Sequence, residues 1–326
     1  MSLYDVVLKI LLLLAGLGVF LAGIYMLTEA LNKTSKPRLQ AFLLKISGSK
    51  PKGIAVGAGL TAFLHSSSAT TVLAVSLVNA GLLTLSQAAP IIMGANIGTT
   101  ITAQMLQFSA LGLTHWFAGA GAVGMVLLTL KEKPLLNKVG GVLAGAGLIF
   151  SGLYLMAHSM EFLATLQGVQ NFFATKSNPI VMLLMGMALT AVIQSSTAAT
   201  GLLIAMVATP LPGGGYLLPF SSAAYAILGM NIGTCVTALL ASIGAGKNAV
   251  RASLIHILFN VFGALVFLPL SYLFRIPDLL ASALPPASAV AMFHTIFNAT
   301  TTLMLMWFTG PLVKLTGWIV RVSDQT

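Results

Sequence analysis

The sequence predicts an all-helical integral membrane protein that crosses the bilayer several times. Of its 326 residues, 57% are hydrophobic and only 7% are charged, and the mean hydropathy is +0.98. Four apolar stretches reach the roughly 20 residues that a helix needs to cross a bilayer. They lie at residues 6–31, 139–160, 254–274 and 289–309. A soluble globular domain does not have this composition, so we expect a polytopic protein, and its two halves resemble each other.

Other classes of protein are disfavoured by the same sequence. The first apolar stretch is longer than the apolar part of a secretory signal and lacks a small-residue cleavage site, so we expect it to stay as a membrane helix. The single cysteine, Cys235, excludes an internal disulfide and a thiolate metal cluster. The net charge of +10 does not indicate nucleic-acid binding, because the basic residues lie in short loops between apolar segments.

An internal repeat organises the chain. Residues 14–16 match residues 143–145 at an offset of 129, and His65 matches Gln194 at the same offset. Each half runs from an apolar helix to a serine-rich motif and then to an Asn-Ile-Gly-Thr motif. The offset of this last motif is 135, because the second half has a longer Pro/Gly loop.

We therefore predict two transmembrane repeats, which cover residues 1–135 and 136–326, the second with extra C-terminal helices. Loop charge predicts that they are inverted relative to each other, because cytoplasmic loops accumulate Lys and Arg. Segment 32–52 carries six basic and no acidic residues, whereas its counterpart, segment 161–178, carries only one of each. The same reasoning places the N-terminus outside and the C-terminus inside.

The serine-rich motifs are predicted to be the tips of re-entrant helical hairpins. The segments that flank the first motif, 57–64 and 72–83, each cover about half a membrane at about 1.5 Å per residue. We expect the helix to break over residues 65–68 in the first copy and 194–197 in the second. The N–H groups that begin the second half-helix suit an anion, and the freed carbonyl and hydroxyl oxygens suit a hard cation such as sodium.

The motifs QSSTAAT, HSSSATT, GANIGTT and GMNIGTC resemble those of the type II sodium/phosphate cotransporter family, and the resemblance covers most of the chain. It implies sodium-coupled symport of inorganic phosphate by alternating access at a site between two hairpin tips, with sodium as the coupling ion and no other cofactor. The implied phosphate-binding residues are His65, Ser66, Ser67, Ser68, Gln194, Ser195, Ser196 and Thr197. The implied residues that bind sodium or line the site are Asn96, Thr99, Thr100, Asn231 and Thr234.

The resemblance also implies a location and a set of partners. We expect a multi-pass protein of the plasma membrane, the inner membrane in a bacterium, with inorganic phosphate, sodium and the lipid bilayer as partners. Nucleic acid is not expected as a partner, and homo-oligomerisation is left open. Because the sequence ends at Thr326, we expect a bacterial family member without the soluble regulatory domain that many relatives append.

Two departures from the family pattern leave alternatives open. His65 stands where the family has Gln, and Thr197 stands where it has Ser. The threonine keeps the hydroxyl, but the imidazole does not keep the amide and can be neutral or charged near physiological pH. Transport of another small anion, proton coupling and phosphate export therefore remain alternatives, as does a helper subunit of a larger transporter.

A catalytic role for the motifs is weighed against transport. Serines in membrane helices often bond only to the helix backbone, but their recurrence at fixed spacing from a second motif favours a site. A membrane-embedded hydrolase would use Ser66 or Ser67 as nucleophile and His65 as base. Adjacent residues seldom align an imidazole with a hydroxyl, and neither motif contains an acid to orient the histidine. We therefore expect a protein that is not an enzyme.

A second polar pattern repeats near the C-terminus. His256 and Asn260 recur as His294 and Asn298, and their i, i+4 spacing places each pair on one helix face. We expect these pairs to form hydrogen bonds between the last two helices, with a proton or ion path as the alternative.

Overall fold

The computed structural model describes residues 3–31, 49–111, 113–130, 133–166, 171, 178–211 and 214–321. Over this part of the chain the secondary structure is helical, apart from one isolated bridge between Pro210 and Tyr216. The α-helices are α1 (Leu3–Leu31), α2 (Lys50–Leu64), α3 (Ser67–Asn79), α4 (Leu85–Leu106), α5 (Thr114–Thr129), α6 (Pro134–Leu163), α7 (Pro179–Ile193), α8 (Ser196–Ala208), α9 (Phe220–Ala241), α10 (Lys247–Leu273), α11 (Ile276–Ala283), α12 (Pro286–Leu305) and α13 (Thr309–Ile319). Short 3₁₀ segments follow α4 and α12.

Five of the described segments are long and apolar enough to cross a membrane, which confirms the predicted all-helical polytopic class. They are Val6–Ala30, Leu135–Glu161, Phe220–Ala241, Lys247–Leu273 and Pro286–Ile319. A sixth span results if α4 and α5, which meet at a bend of 110°, are counted together. Most of the basic segment used to predict orientation, residues 32–48, lies outside the described residues.

The two opening helices pack against each other as an antiparallel pair. Gly16 of α1 lies against the backbone at Gly152 of α6, and Gly23 lies against Gly145. A Cβ atom at any of these four positions would meet backbone atoms of the facing helix at 3 Å or less, so glycine is required for the close approach. The sequence repeat pairs Gly16 with Gly145 and Gly23 with Gly152, so the contact maps onto itself when the halves are exchanged.

The crossing of α2 with α4 recurs as the crossing of α7 with α9. A Cβ on Gly57 would overlap a carbonyl group of α4, and one on Gly94 would overlap a carbonyl group of α2. Gly186 and Gly229, the equivalent residues of the second half, meet α9 and α7 in the same way. In each half, the first hairpin arm is therefore held against the helix that carries the Asn-Ile-Gly-Thr motif.

The hairpin arms of the first half are placed differently from the prediction. Helix α2 begins at Lys50 rather than residue 57, because Pro51 occupies its first turn, where a missing N–H costs nothing. Helix α3 begins at Ser67 rather than residue 72 and ends at Asn79. The predicted boundary between the repeats falls in the first turn of α6, and the division into two units stays a prediction.

Candidate functional site

The first serine-rich motif forms the tip of a helical hairpin. His65 adopts the left-handed conformation at φ 49°, which ends α2. Ser66 then caps α3 by accepting a hydrogen bond of 3.1 Å from the Ala69 N–H. The Thr61 hydroxyl donates to the Thr70 hydroxyl over 2.8 Å, although nine residues separate them, so the two arms fold back on each other.

The second motif has the same backbone geometry. Gln194 is left-handed at φ 57°, and Ser195 caps α8 by accepting 3.2 Å from the Ala198 N–H. The hydrogen bond between the arms is missing, because Ala199 stands at the position of Thr70. The hydroxyl of Thr190 is consequently buried without a partner among the described residues.

Each helix break is shorter than predicted and sorts the motif residues into two groups. Only His65 and Ser66 lie in the first break, since Ser67 and Ser68 already belong to the first turn of α3. The equivalent Ser196 and Thr197 belong to the first turn of α8. The N–H groups of a first helical turn have no partner within the helix.

The hydroxyls of the motif serines are not equivalent. Those of Ser66 and Ser195 are used as helix caps. Those of Ser67 and Ser196 make no hydrogen bond to any part of the chain that the structure describes. The second pair therefore combines a free hydroxyl with a helix N-terminus, which is an arrangement that can bind an oxyanion.

The helices that begin at the two tips, α3 and α8, both pack on the two helices that carry the Asn-Ile-Gly-Thr motif. Helix α3 packs on α4 and α9, and α8 packs on the same two helices. The Thr237 hydroxyl of α9 donates to the Thr234 carbonyl over 2.8 Å and lies 3.3 Å from the Ser68 hydroxyl, within hydrogen-bond distance, which joins the two halves directly. The His65 imidazole lies 3.1 Å from the Thr102 hydroxyl of α4.

Thr102 and Thr237 were missed by the sequence analysis. They are equivalent residues, each one helical turn beyond the last threonine of an Asn-Ile-Gly-Thr motif. That spacing puts them on the same helix face as the motif threonine and could have identified them.

The two residues that differ most between the motifs also differ in their surroundings. His65 is buried, at 8% exposure, and borders an apolar cavity of about 200 Å³ between α1, α4, α5 and α6. Gln194 is exposed. The His65 Nδ1 atom contacts Thr102 and not Ser66 or Ser67, so the geometry of a histidine base on a serine nucleophile is not formed among the described residues.

The polar residues of the Asn-Ile-Gly-Thr motifs are buried, but most of them form hydrogen bonds within their own helix. The hydroxyls of Thr99, Thr100 and Thr234 donate to carbonyls three or four residues earlier. Asn231 likewise donates from Nδ2 to a carbonyl of α9 over 2.9 Å. Asn96 is the exception, since it bonds to another helix.

The expected hydrogen bonds between the last two helices are not formed where we placed them. His256 and Asn260 of α10 contact Asn96 of α4 instead. Helices α10 and α12 approach each other at Gly263, against which Thr301 packs. The prediction was wrong in its partner, because the first pair bonds to α4, and Asn298 bonds only to the His294 carbonyl of its own helix among the described residues.

Comparison with known proteins identifies the family. The model of the family described as Na⁺/Pi-cotransporter matches residues 19–158 and again residues 159–276, which together make up most of the chain. The chain belongs to this family. The two successive matches parallel the internal repeat seen in the sequence. No solved structure matches the chain.

Individual relatives show how far the similarity extends. The protein YqeW of Bacillus subtilis is 30% identical over 300 residues, which cover 91% of this chain and 93% of YqeW. YjbB of Escherichia coli, described as a candidate inorganic phosphate exporter, is 28% identical over 98% of this chain, which spans 57% of YjbB. Human sodium-dependent phosphate transport protein 2B is 34% identical over 149 residues, 43% of this chain and 20% of that protein.

Family membership and the apolar helices together describe a multi-pass membrane protein of a phosphate transporter family. The relatives with functional names are named as transporters rather than enzymes, which points to transport for this chain.

Proposed function

We propose that this protein is a secondary transporter that couples the movement of inorganic phosphate to sodium by alternating access. The observation that carries the proposal is the pair of hairpin tips. Each presents a hydroxyl without a protein partner among the described residues, that of Ser67 or Ser196, at a helix N-terminus. The helices that begin at the tips, α3 and α8, both pack on the same two helices, α4 and α9. A central site between them would receive donors from both halves.

The chemistry of the tips suits two ions of opposite charge. Neither serine-rich motif contains Lys or Arg, so phosphate would be bound by N–H groups, hydroxyls and the positive ends of two helix dipoles. Sodium would bind first, to carbonyl and hydroxyl oxygens near the same tips, and would complete the anion site. Binding of sodium would thereby supply both affinity and coupling.

The packing of the opening helices supports alternating access between inverted repeats. The equivalent helices α1 and α6 run antiparallel, as inverted repeats require. With the loop charges, this supports an N-terminus outside and a C-terminus inside, in a protein of the bacterial inner membrane as the family resemblance implies. One part of the molecule would then move against the other to expose the central site on alternate sides.

Sodium dependence tests the proposal directly. The purified full chain in liposomes is expected to accumulate radiolabelled phosphate only when a sodium gradient points inward, with arsenate competing better than sulfate because it has the geometry and charge of phosphate. Uptake that follows a proton gradient and ignores sodium would contradict the coupling. Release of preloaded phosphate in preference to uptake would support export, as the description of the Escherichia coli relative suggests.

His65 provides a second test. His65→Gln restores the side chain that the second motif has at Gln194 in the same backbone conformation, so we expect phosphate uptake to be retained or increased. Coupling through the imidazole, or catalysis by it, predicts loss of activity instead. Gln194→His is the matched variant, because it places a histidine in the second motif at the position that His65 occupies in the first. Initial uptake rates measured between pH 6 and 8, a range that spans the usual titration of histidine, would distinguish these outcomes.

A further inference from the structure

Helices α10 and α12 occupy equivalent places around the centre of the molecule. Helix α10 packs on α3, α9 and α4, whereas α12 packs on α8, α4 and α9. Exchanging the two halves turns the first set of contacts into the second. The repeated polar pairs, His256 with Asn260 and His294 with Asn298, lie on these two helices, and all four side chains are buried. We call each pair a bracket.

The bracket on α10 is closed around an asparagine. The Asn96 Nδ2 atom donates to Asn260 Oδ1 over 2.8 Å, and His256 Nε2 lies 3.3 Å from Asn96 Oδ1. Asn260 Nδ2 also reaches the Cys235 sulfur at 3.3 Å and the His256 carbonyl at 2.9 Å. Both ends of the Asn96 amide are thus occupied by α10, and the asparagine is held away from any ligand.

The bracket on α12 is open. Asn298 Nδ2 donates to the His294 carbonyl over 2.9 Å, as the equivalent amide does on α10. Its Oδ1 atom, however, is buried and has no partner in the described part of the chain. Asn231, the residue equivalent to Asn96, donates only to Ile227 of its own helix. A buried amide oxygen without a hydrogen bond lowers the stability of the fold. We therefore expect that another conformation of the protein gives the Asn298 oxygen a partner.

We propose that the two brackets close one at a time, and that the asparagine left outside a closed bracket is the one that faces the transported ions. In the present conformation α10 holds Asn96, and the Asn231 amide oxygen is available. In the opposite conformation His294 and Asn298 hold Asn231, and Asn96 is released. The proposal rests on the alternating access proposed above. Helices α10 and α12 both lie in the second predicted repeat, but they contact equivalent elements of the two halves. A motion that exchanges the arrangements of the halves therefore also exchanges the surroundings of the two brackets. His256, Asn260, His294 and Asn298 are then positioning residues.

The chain contains a natural reporter of bracket closure. Cys235 is its single cysteine, is 2% exposed, and contacts Asn260 and the His256 carbonyl, the latter at 3.4 Å. The thiol is therefore shielded while the α10 bracket is closed. Opening of that bracket should raise its rate of reaction with a small uncharged reagent such as N-ethylmaleimide.

The test measures labelling of Cys235 by mass spectrometry in proteoliposomes of the full chain. Labelling is expected to accelerate when phosphate and sodium are present on both sides, because the protein then visits both conformations. Asn298→Ala, which removes the α12 bracket without touching Cys235, should favour the present conformation and slow labelling about fivefold, the effect of one lost hydrogen bond. Asn96→Ala is the matched variant, because it empties the α10 bracket without removing a hydrogen-bond contact of Cys235, and it should accelerate labelling.

The outcomes separate this proposal from sodium coupling. Equal labelling of the wild-type chain and Asn298→Ala, or no response of the wild-type chain to substrate, would show that the brackets do not exchange. His294→Gln should slow labelling in the same direction and serves if Asn298→Ala does not fold. The labelling experiment needs no sodium gradient. Its result can therefore be interpreted even if sodium-driven uptake fails, and a negative labelling result leaves the test of sodium coupling unaffected.

Discussion

Replacing Ser67 or Ser196 by Ala is expected to reduce phosphate uptake by about 10- to 100-fold, the range that corresponds to losing one hydrogen bond to a charged ligand. Both hydroxyls lie in the first turn of a hairpin helix and lack a partner within the described residues, so their loss removes a ligand contact without breaking an internal bond. Folding stability should change little. The measurement is the initial rate of radiolabelled phosphate uptake over a range of phosphate concentrations.

Two sets of control variants give this prediction its specificity. Ser66→Ala and Ser195→Ala remove helix caps and should lower stability by about 1 kcal/mol each. Ser76→Ala removes an exposed hydroxyl that bonds only to Val72 of its own helix, and should leave uptake and stability unchanged. If the Ser67 and Ser196 variants transport like Ser76→Ala, the tips do not bind phosphate through these hydroxyls.

Gly57→Ala is expected to destabilise the fold by about 2 to 3 kcal/mol, at the upper end of the usual cost of overpacking. The added Cβ would overlap the backbone carbonyl of Ile91, which cannot move aside as a flexible side chain could. Helices α2 and α4 would have to separate and would displace the first hairpin tip. Thermal unfolding in detergent, monitored by size-exclusion chromatography, should have a lower midpoint temperature for this variant than for the wild type. Phosphate uptake should also be lower.

The matched control lies two residues away on the same helix. A Cβ on Gly59 would meet nothing within 4 Å, and Ala has the higher helix propensity. Gly59→Ala should therefore melt at the same temperature as the wild type or slightly above it. In the second half, Gly186→Ala should behave like Gly57→Ala, because the same overlap occurs there with Ala226. Similar melting of Gly57→Ala and Gly59→Ala would contradict the close crossing.

The class of fold could be predicted from the sequence because lipid permits few alternatives. A chain with this hydropathy must satisfy its backbone within helices, and every long apolar stretch became one. The hairpins could also be predicted, since the repeated motifs interrupt segments too short to span. The exact positions of the helix breaks could not be predicted. One left-handed residue ends the first arm and the next residue, a capping serine, begins the second, so the break is shorter than the run of hydroxyl residues suggests.

Side-chain partners were the least predictable part of the site. The resemblance to a family located the serine motifs, but it did not distinguish the capping Ser66 from the unpartnered Ser67, which depends on one dihedral angle. Nor could it find the contact between Asn96 and Asn260, because 164 residues separate them and i, i+4 spacing reports only which face of a helix a residue occupies. Their pairing depends on how distant helices assemble.

That separation has a consequence for how the protein is made. Helix α4 is synthesised early in translation, but its polar side chains bond to helices that are synthesised much later. Asn96 bonds to Asn260 of α10, and the Gln104 amide bonds to Thr295, which is 191 residues further along the chain. The Met93 carbonyl accepts a hydrogen bond from the hydroxyl of Thr302, which is 209 residues further along the chain. The N-terminal half therefore cannot complete its polar contacts until the last helices have been inserted. A chain that ends before α12 would leave the Gln104 amide N–H groups without the partners that Ala291 and Thr295 provide, and an unsatisfied polar group is costly in lipid.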